Sequence, residues 1–301
     1  MSDVMLSVYM PTYNAARFVR QAVQSILEQS LDDFEFIIVD DGSTDQTPII
    51  LKDLASHDRR IRVVSQPHLG AAAAANRAIA EARGEFLVRM DADDVALPRR
   101  VEQQVRYLRD HPEYVAVGAR MLLIDEDGLP LYHFGETLFG HERIDASLIQ
   151  GGWGIAQGSC TYRRVAVIAA GAYQTDIALH EDLDLFLRLA ERGRLENLPE
   201  ILQMYRQSTA SLTNVGFPTS KKVVHSILCA ACRRRGLKEP STLNGGDSKP
   251  CAALDRYRHW AWGSLMAGNV RTARTYARRI LRLAPFSAHS WRLMYCALRG
   301  R

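Results

Sequence analysis

Two apolar runs stop abruptly at clustered aspartates, and this pattern constrains the fold more than any other feature of the chain. Phe34–Val39 is apolar apart from Glu35 and ends in Asp40-Asp41-Gly42-Ser43; Phe86–Met90 ends in Asp91-Ala92-Asp93-Asp94. A strand covered on one face alternates apolar and polar residues. A run without that alternation suits a parallel strand with helices on both faces. Leu6–Met10, Ile61–Ser65 and Tyr114–Ile124 read as further strands. Between them lie helical patterns at Ala16–Gln29, Thr44–Ser56, Ala71–Ala82 and Leu97–Asp110. Gly70 opens the third and Gly84 closes it; Pro98 sits in the first turn of the fourth, where proline is tolerated. The repeated βα pattern predicts an α/β fold with a doubly wound, mostly parallel, Rossmann-like sheet.

Beyond Ile124 the pattern loosens. Cys160–Tyr162 is strand-like, Asp182–Arg192 helical, and Ile201–Arg206 reads as a last strand. Ser220–Arg235 is helical, Gly236–Pro250 is polar and punctuated by Pro and Gly, and three helical patterns follow near 255–267, 270–283 and 287–299. These resemble hairpins of tetratricopeptide type, although so few units do not define an array. The expected organisation is a catalytic domain over 1–215 and a C-terminal α-helical extension over 216–301, with a linker at about 236–254 and basic helical hairpins at 255–301.

Composition enters through charge. The 301 residues carry 38 Lys and Arg against 34 Asp and Glu, a net charge of +4. Nine Arg and no Asp, Glu or Lys fall in Tyr257–Arg301, so the body before that tail is net acidic. Such asymmetry suggests regions with different partners. Hydrophobic residues at 47% exclude a disordered chain. No apolar stretch reaches the length of a membrane span and no secretory signal opens the chain. Five cysteines, an odd number in a long chain, favour a reducing compartment. His225, Cys229 and Cys232 share a helix face, where small buried residues are a better reading than a zinc site.

In open parallel sheets ligands bind outside the carboxyl ends of the strands, which is where both aspartate clusters fall. Several carboxylates at one strand end repel one another unless a cation or hydrogen-bond donors offset them. Oxygen ligands suit a hard cation, Mg²⁺ or Mn²⁺, and Mg²⁺ typically combines one or two carboxylates with substrate phosphates. The alternative for the first cluster is a turn and helix cap over Asp41–Asp45. No G-x-G-x-x-G follows the first strand, and there is no P-loop and no G-x-S-x-G elbow. His180-Glu181-Asp182-Leu183-Asp184 lacks the second histidine of a zincin.

Four blocks stand in a recognisable order: Ser7-Val-Tyr-Met-Pro-Thr-Tyr-Asn14, Val39-Asp-Asp-Gly-Ser-Thr-Asp45, Gly84–Asp94 and His180–Arg188. Over residues 5–206 the chain resembles the inverting family 2 glycosyltransferases of GT-A fold, of bacterial polysaccharide type. The resemblance implies transfer of a sugar from a nucleotide-diphosphate donor, most often a UDP-sugar, to a hydroxyl of a glycan or lipid-linked acceptor. It places Pro11, Thr12, Tyr13, Asn14, Asp41, Gly70 and Asn76 along the nucleotide sugar, Asp40 at the base and Asp91 near the ribose. It makes Asp93 the metal ligand, supported by Asp94, and Asp182 the catalytic base beside Glu181. Trp153, in a loop ahead of the acceptor-side strand, either stacks on a sugar or plugs the core. Two departures stand out: Gln157-Gly158-Ser159 and Gln207-Ser208-Thr209 occupy places where many relatives have a histidine. No Q-x-x-R-W motif of the processive synthases occurs. The competing readings are a degenerate transferase serving as a scaffold and a metal-dependent nucleotidyltransferase, although the latter would need a basic glycine-rich loop after the first strand. The implied location is cytoplasmic and peripheral to the membrane, the basic tail meeting an anionic surface; nucleic acid is not expected as a partner.

Overall fold

The computed structural model describes residues 6–134, 137–177, 179–207, 220–241 and 253–300. Most of the expected linker and the cut at 215 lie outside these residues. The chain divides into two units.

The first unit, Met1–Arg120 with Glu136–Gln203 and Thr219–Gly245, holds the sheet that the apolar runs predict. Strands β1 (Leu6–Thr12), β2 (Glu35–Asp40), β3 (Ile61–Ser65) and β4 (Phe86–Arg89) lie in the order β3-β2-β1-β4, all parallel. Helices α1 (Val19–Leu27), α2 (Thr47–His57) and α3 (Ala71–Glu81) make the crossovers. A two-residue β5 (Val95–Ala96) precedes α4 (Arg100–Asp110). All six residues of β2 are buried, which explains the missing alternation. One apolar cluster beneath the sheet holds Val8, Met10, Phe36 and Ile38; the other holds Tyr9, Ile37 and Val39. The side chains of each strand are thus divided between two cores.

Beyond β4 the doubly wound expectation is modified. Strand β8 (Thr161–Arg163) inserts antiparallel between β4 and β6 (Tyr114–Ile124), and β9 (Arg194–Arg206) follows β6 in the sheet order. The sheet is therefore mixed. Strand β9 begins seven residues before the expected Ile201, because its first half mixes polar and apolar residues at an irregular period. Short helices α5 (His141–Leu148) and α6 (Arg164–Ala169) lack a strong sequence signal, whereas α7 (Glu181–Ala190) and α8 (Ser220–Arg235) match expectation. Helix α8 belongs to this unit: Arg235 pairs with Asp145 at 2.8 Å and Arg234 with Glu191 at 2.9 Å. Cys229 and Cys232 are buried on it, and no metal-binding cluster of three or more His, Cys, Asp or Glu occurs among the described residues.

The second unit joins Met121–Gly135, Met204–Pro218 and Gly246–Arg301. Its division from the first does not follow a single cut in sequence. The end of β6 pairs with β7 (Pro130–His133) as a hairpin, closed by Asp125, whose carboxylate accepts the amides of Asp127 and Leu129. Helices α9 (Ala253–Met266), α10 (Val270–Leu283) and α11 (Ala288–Arg299) stand where the periodicity predicts them. Trp260, Tyr276, Ile280 and Leu293 form their core with Leu131 of the hairpin. Buried Asp125 also accepts the Tyr276 hydroxyl at 2.7 Å.

A buried tie sets the start of the sheet. The Ser7 hydroxyl donates to Glu35 at 2.7 Å and accepts the Gly84 amide at 2.8 Å, while Arg83 pairs with Glu35 at 2.9 Å. A Cβ at Gly84 would lie 2.5 Å from the Ser7 backbone nitrogen. Gly84→Ala should therefore force β1 away and lower stability by about 1–3 kcal/mol, read as a lower urea midpoint with an unchanged slope.

Candidate active site

The tips of β1 and β2 meet in parallel register, Thr12 opposite Asp40. Asp40 and Asp41 are both buried but differ in their partners. The Asp41 carboxylate accepts the Gln66 side-chain amide at 2.7 Å and the backbone amides of Leu69 and Gly70 at 2.9 and 2.8 Å, with the His68 ring at 2.8 Å. It is spent on fixing the loop over 66–70. Gly70, at φ +94°, turns that loop into α3, a conformation strained for any side chain. Asn14 takes the left-handed region that asparagine tolerates. Its side-chain oxygen accepts the Thr44 amide at 2.8 Å and its own amide donates to the Ser43 hydroxyl at 2.9 Å. The knitted loops bring the Tyr13 and His68 rings into a stack, with centroids 4.0 Å apart. Tyr13 remains 45% exposed, so the pair presents an aromatic face beside Asp40. Pro11 lies opposite Val39 in the β1–β2 register, and the Thr12 hydroxyl turns inward toward the Met10 carbonyl. Asn76 stands apart: both ends of its amide are taken by the Tyr173 backbone, at 2.7 and 2.9 Å. It positions Tyr173 rather than reaching toward the aromatic face.

The second cluster rests on two arginines that the sequence reading passed over. Arg89 is buried and grips one Asp91 oxygen through Nε and Nη2, both at 2.8 Å. The rings of Tyr9 and Tyr173 lie 5.5 and 6.0 Å from its guanidinium, and their hydroxyls meet at 2.9 Å. Asp94 is fully buried and accepts the Gln203 side-chain amide at 2.7 Å. Gln203 in turn accepts from Arg100, which also donates to the Arg89 carbonyl at 2.6 Å. Burial pulls the Arg100 pKa down to about 10, so it stays charged at neutral pH. Asp93 is half-buried between Asp91 and Asp94. A Cβ at Gly158 would lie 2.7 Å from an Asp91 oxygen and 3.3 Å from an Asp94 oxygen. Glycine there leaves room directly over the carboxylates, and the donor set suits a hard divalent cation held partly by a phosphate.

Helix α7 carries the remaining acids. His180 caps it in the left-handed region, and Glu181, Asp182 and Asp184 fill its first turn, the end where the helix dipole favours negative charge. Asp184 turns away and pairs with Arg188 at 2.5 Å. The Asp182 carboxylate accepts the Leu183 amide at 2.8 Å and lines a pocket with Trp153, Ile155, His180 and Phe186. Trp153 is 62% exposed, so it does not plug the core. Burial, then the neighbouring Asp182 charge, pushes Glu181 up to about 7; burial raises Asp182 as well. Both carboxyls therefore give up their protons less readily than free ones. His68, Arg89, Tyr173, Arg100 and Gln203 were all missed from sequence. Only Arg89 left a trace, a charge inside an apolar run.

A family model described as Glycosyl transferase family 2 matches residues 7–170. The putative glycosyltransferase EpsE of Bacillus subtilis is 34% identical over 241 residues, 76% of this chain and 82% of the relative. The putative teichuronic acid biosynthesis glycosyltransferase TuaG of the same organism is 30% identical over 224 residues, 72% of this chain and 85% of the relative. Among solved structures, S. aureus TarS 1–349 in complex with UDP-GlcNAc superposes with a TM-score of 0.65 at 16% identity, covering 98% of this chain and 89% of that one.

The upward shift of Glu181 is open to measurement. Carbon-13 carboxyl titration should give Glu181 a midpoint near 7. Asp182→Asn should lower that midpoint, because it removes the negative charge that opposes ionisation.

Proposed function

The chain belongs to family 2 of the glycosyltransferases and has the GT-A fold, and from that premise we propose that it inverts the anomeric centre of a UDP-sugar while moving the sugar to an acceptor hydroxyl in surface polysaccharide synthesis. One observation carries the reading most: Asp182, a carboxyl with a raised pKa, shares a pocket with an exposed tryptophan. An indole face packs against the apolar face of a sugar ring. With an acceptor sugar on Trp153, its hydroxyl comes to Asp182.

The roles follow from position. The Tyr13–His68 face stacks on the base and Asp40 accepts a hydrogen bond from it; the UDP-GlcNAc in the TarS complex supports uracil. Asp91, fixed by Arg89, takes the ribose end. Asp93, with Asp91 beside it, would hold Mg²⁺ or Mn²⁺, which when bound offsets charge on a diphosphate leaving group. Asp182 accepts the proton of the acceptor hydroxyl as the oxygen forms its bond to the anomeric carbon and the bond from that carbon to the diphosphate breaks. Attack from the side opposite the diphosphate inverts the centre. Glu181, pushed up to about 7 by burial and then by the Asp182 charge, is largely protonated below that pH and is then no fixed charge beside the base. The name of TuaG supports a surface polysaccharide as the setting, with a glycan or lipid-linked acceptor. Intact carboxylates in both groups speak against a degenerate scaffold, and Met10-Pro-Thr-Tyr-Asn14 at the end of β1 is not the basic glycine-rich loop a nucleotidyltransferase would need.

Asp182→Asn should cost 10²–10⁴ in kcat with donor affinity nearly unchanged; a loss confined to donor binding would remove Asp182 as the base. Asp93→Asn should lose at least about 10²-fold in transfer with Mn²⁺ present while UDP binding persists in calorimetry. Trp153→Ala should raise the acceptor KM about five- to thirtyfold, as the loss of a stacking contact worth about 1–2 kcal/mol requires, and leave the donor KM in place.

A further inference from the structure

The helices of the second unit carry a surface that their own core does not use. Arg271, Arg278 and Arg282 follow one another at i, i+7 and i+11 on α10, a single stripe on the side opposite the buried Ala273, Tyr276, Ala277 and Ile280. Arg258 and Arg279 have carboxylate partners in Asp255 and Asp127, at 2.9 and 3.2 Å. Arg271, Arg278, Arg282 and Arg292 have no such partner among the described residues. Trp291, Tyr295 and Leu298 repeat at i, i+4 and i+7 on α11, all exposed, and away from its buried Leu293 and Ala297. The Trp291 indole donates to the Pro285 carbonyl at 2.7 Å, which holds this face against the α10–α11 turn. In that turn Phe286 is fully exposed. Arg292 lies beside the apolar stripe, and Arg299 donates to the Tyr295 hydroxyl at 2.5 Å.

The occupant must satisfy two demands at once. Unpaired arginines call for negative charge, and the aromatic and aliphatic side chains call for burial. A surface of anionic phospholipid meets both, with phosphates at the guanidinium groups and the headgroup–acyl boundary at the rings. No acid in Tyr257–Arg301 opposes that contact. We propose that the α10–α11 turn and the exposed face of α11 bind the surface of an anionic bilayer, reversibly and without spanning it. No helix among the described residues is long and apolar enough to cross a membrane.

The test uses the full chain and vesicles of phosphatidylcholine, alone or mixed with phosphatidylglycerol. Co-sedimentation should require phosphatidylglycerol and fall as salt rises. Arg292→Gln should weaken the partition about fivefold, and Phe286→Ser should weaken it at both low and high salt. Both side chains are exposed, so the fold should survive, as far-UV circular dichroism would verify. Equal recovery with the two vesicle types would overturn the proposal, as would wild-type partition of both variants. So would a vesicle-free oligomer that these same changes dissociate, since the face would then meet a second copy of the chain.

Discussion

The acid cluster that follows β4 depends on two buried guanidinium groups. Five aspartates, Asp40 and Asp41 at the end of β2 and Asp91, Asp93 and Asp94 after β4, stand at the tips of the two parallel strands that flank β1. Carboxylates that close repel one another and lose hydration as the helices cover them. Arg89 and Arg100 supply the opposing charge from beneath. Arg89 is held between two tyrosine rings and spends two donors on Asp91. Arg100 works through Gln203 on Asp94 and ties the same network to Gln104, Thr161 and the Ser159 carbonyl. The antiparallel β8 and the long β9 belong to this arrangement: β8 carries Thr161 and β9 carries Gln203. The mixed half of the sheet is thus what seats the acids of the parallel half.

The parallel half was legible because its signals are local. An apolar run with no alternation, a glycine, and an acid at the strand end are all contiguous in sequence, and β1 to β4 with α1 to α4 follow. The four blocks likewise drew attention to Asp40, Asp91, Asp93 and Asp182, and all four lie at strand ends or at the start of α7. The remaining features are products of distance. Gln203 meets Asp94 across 109 positions and Asn76 meets Tyr173 across 97. Neither pairing leaves a periodic trace. The resemblance set Asn76 and Asp41 along the nucleotide sugar; their hydrogen bonds to the Tyr173 backbone and to the 66–70 loop could not be foreseen from it. Arg100 occupies a buried position on α4, where a hydrophobic residue is the ordinary choice.

The second unit differs in its logic. Its helices were readable from a period of 3.6 residues, but the β-hairpin they pack on comes from a separate part of the chain. Asp125 joins the two by closing the hairpin turn and accepting the hydroxyl of Tyr276. Gly263 is a matching concession on the helix side: a Cβ there would lie 2.4 Å from the Tyr132 ring. Composition had already isolated the cationic tail. Packing then divides its arginines into those that cap helices or pair with acids, such as Arg274 on the last carbonyls of α11, and those left at the surface.

The saturation of Asp41 has an evolutionary consequence. Two consecutive aspartates share one strand end, yet their partners differ: Asp41 holds the loop over 66–70, whereas the Asp40 carboxylate accepts, among the described residues, only the Ser43 amide, at 3.3 Å. If Asp40 meets the base as proposed, folding and recognition fall to separate residues at this point. On the proposed reading of Asp40, a lineage can change that residue and drift toward another nucleobase, while Asp41, still held by the Leu69 and Gly70 amides, keeps the path of the chain into α3.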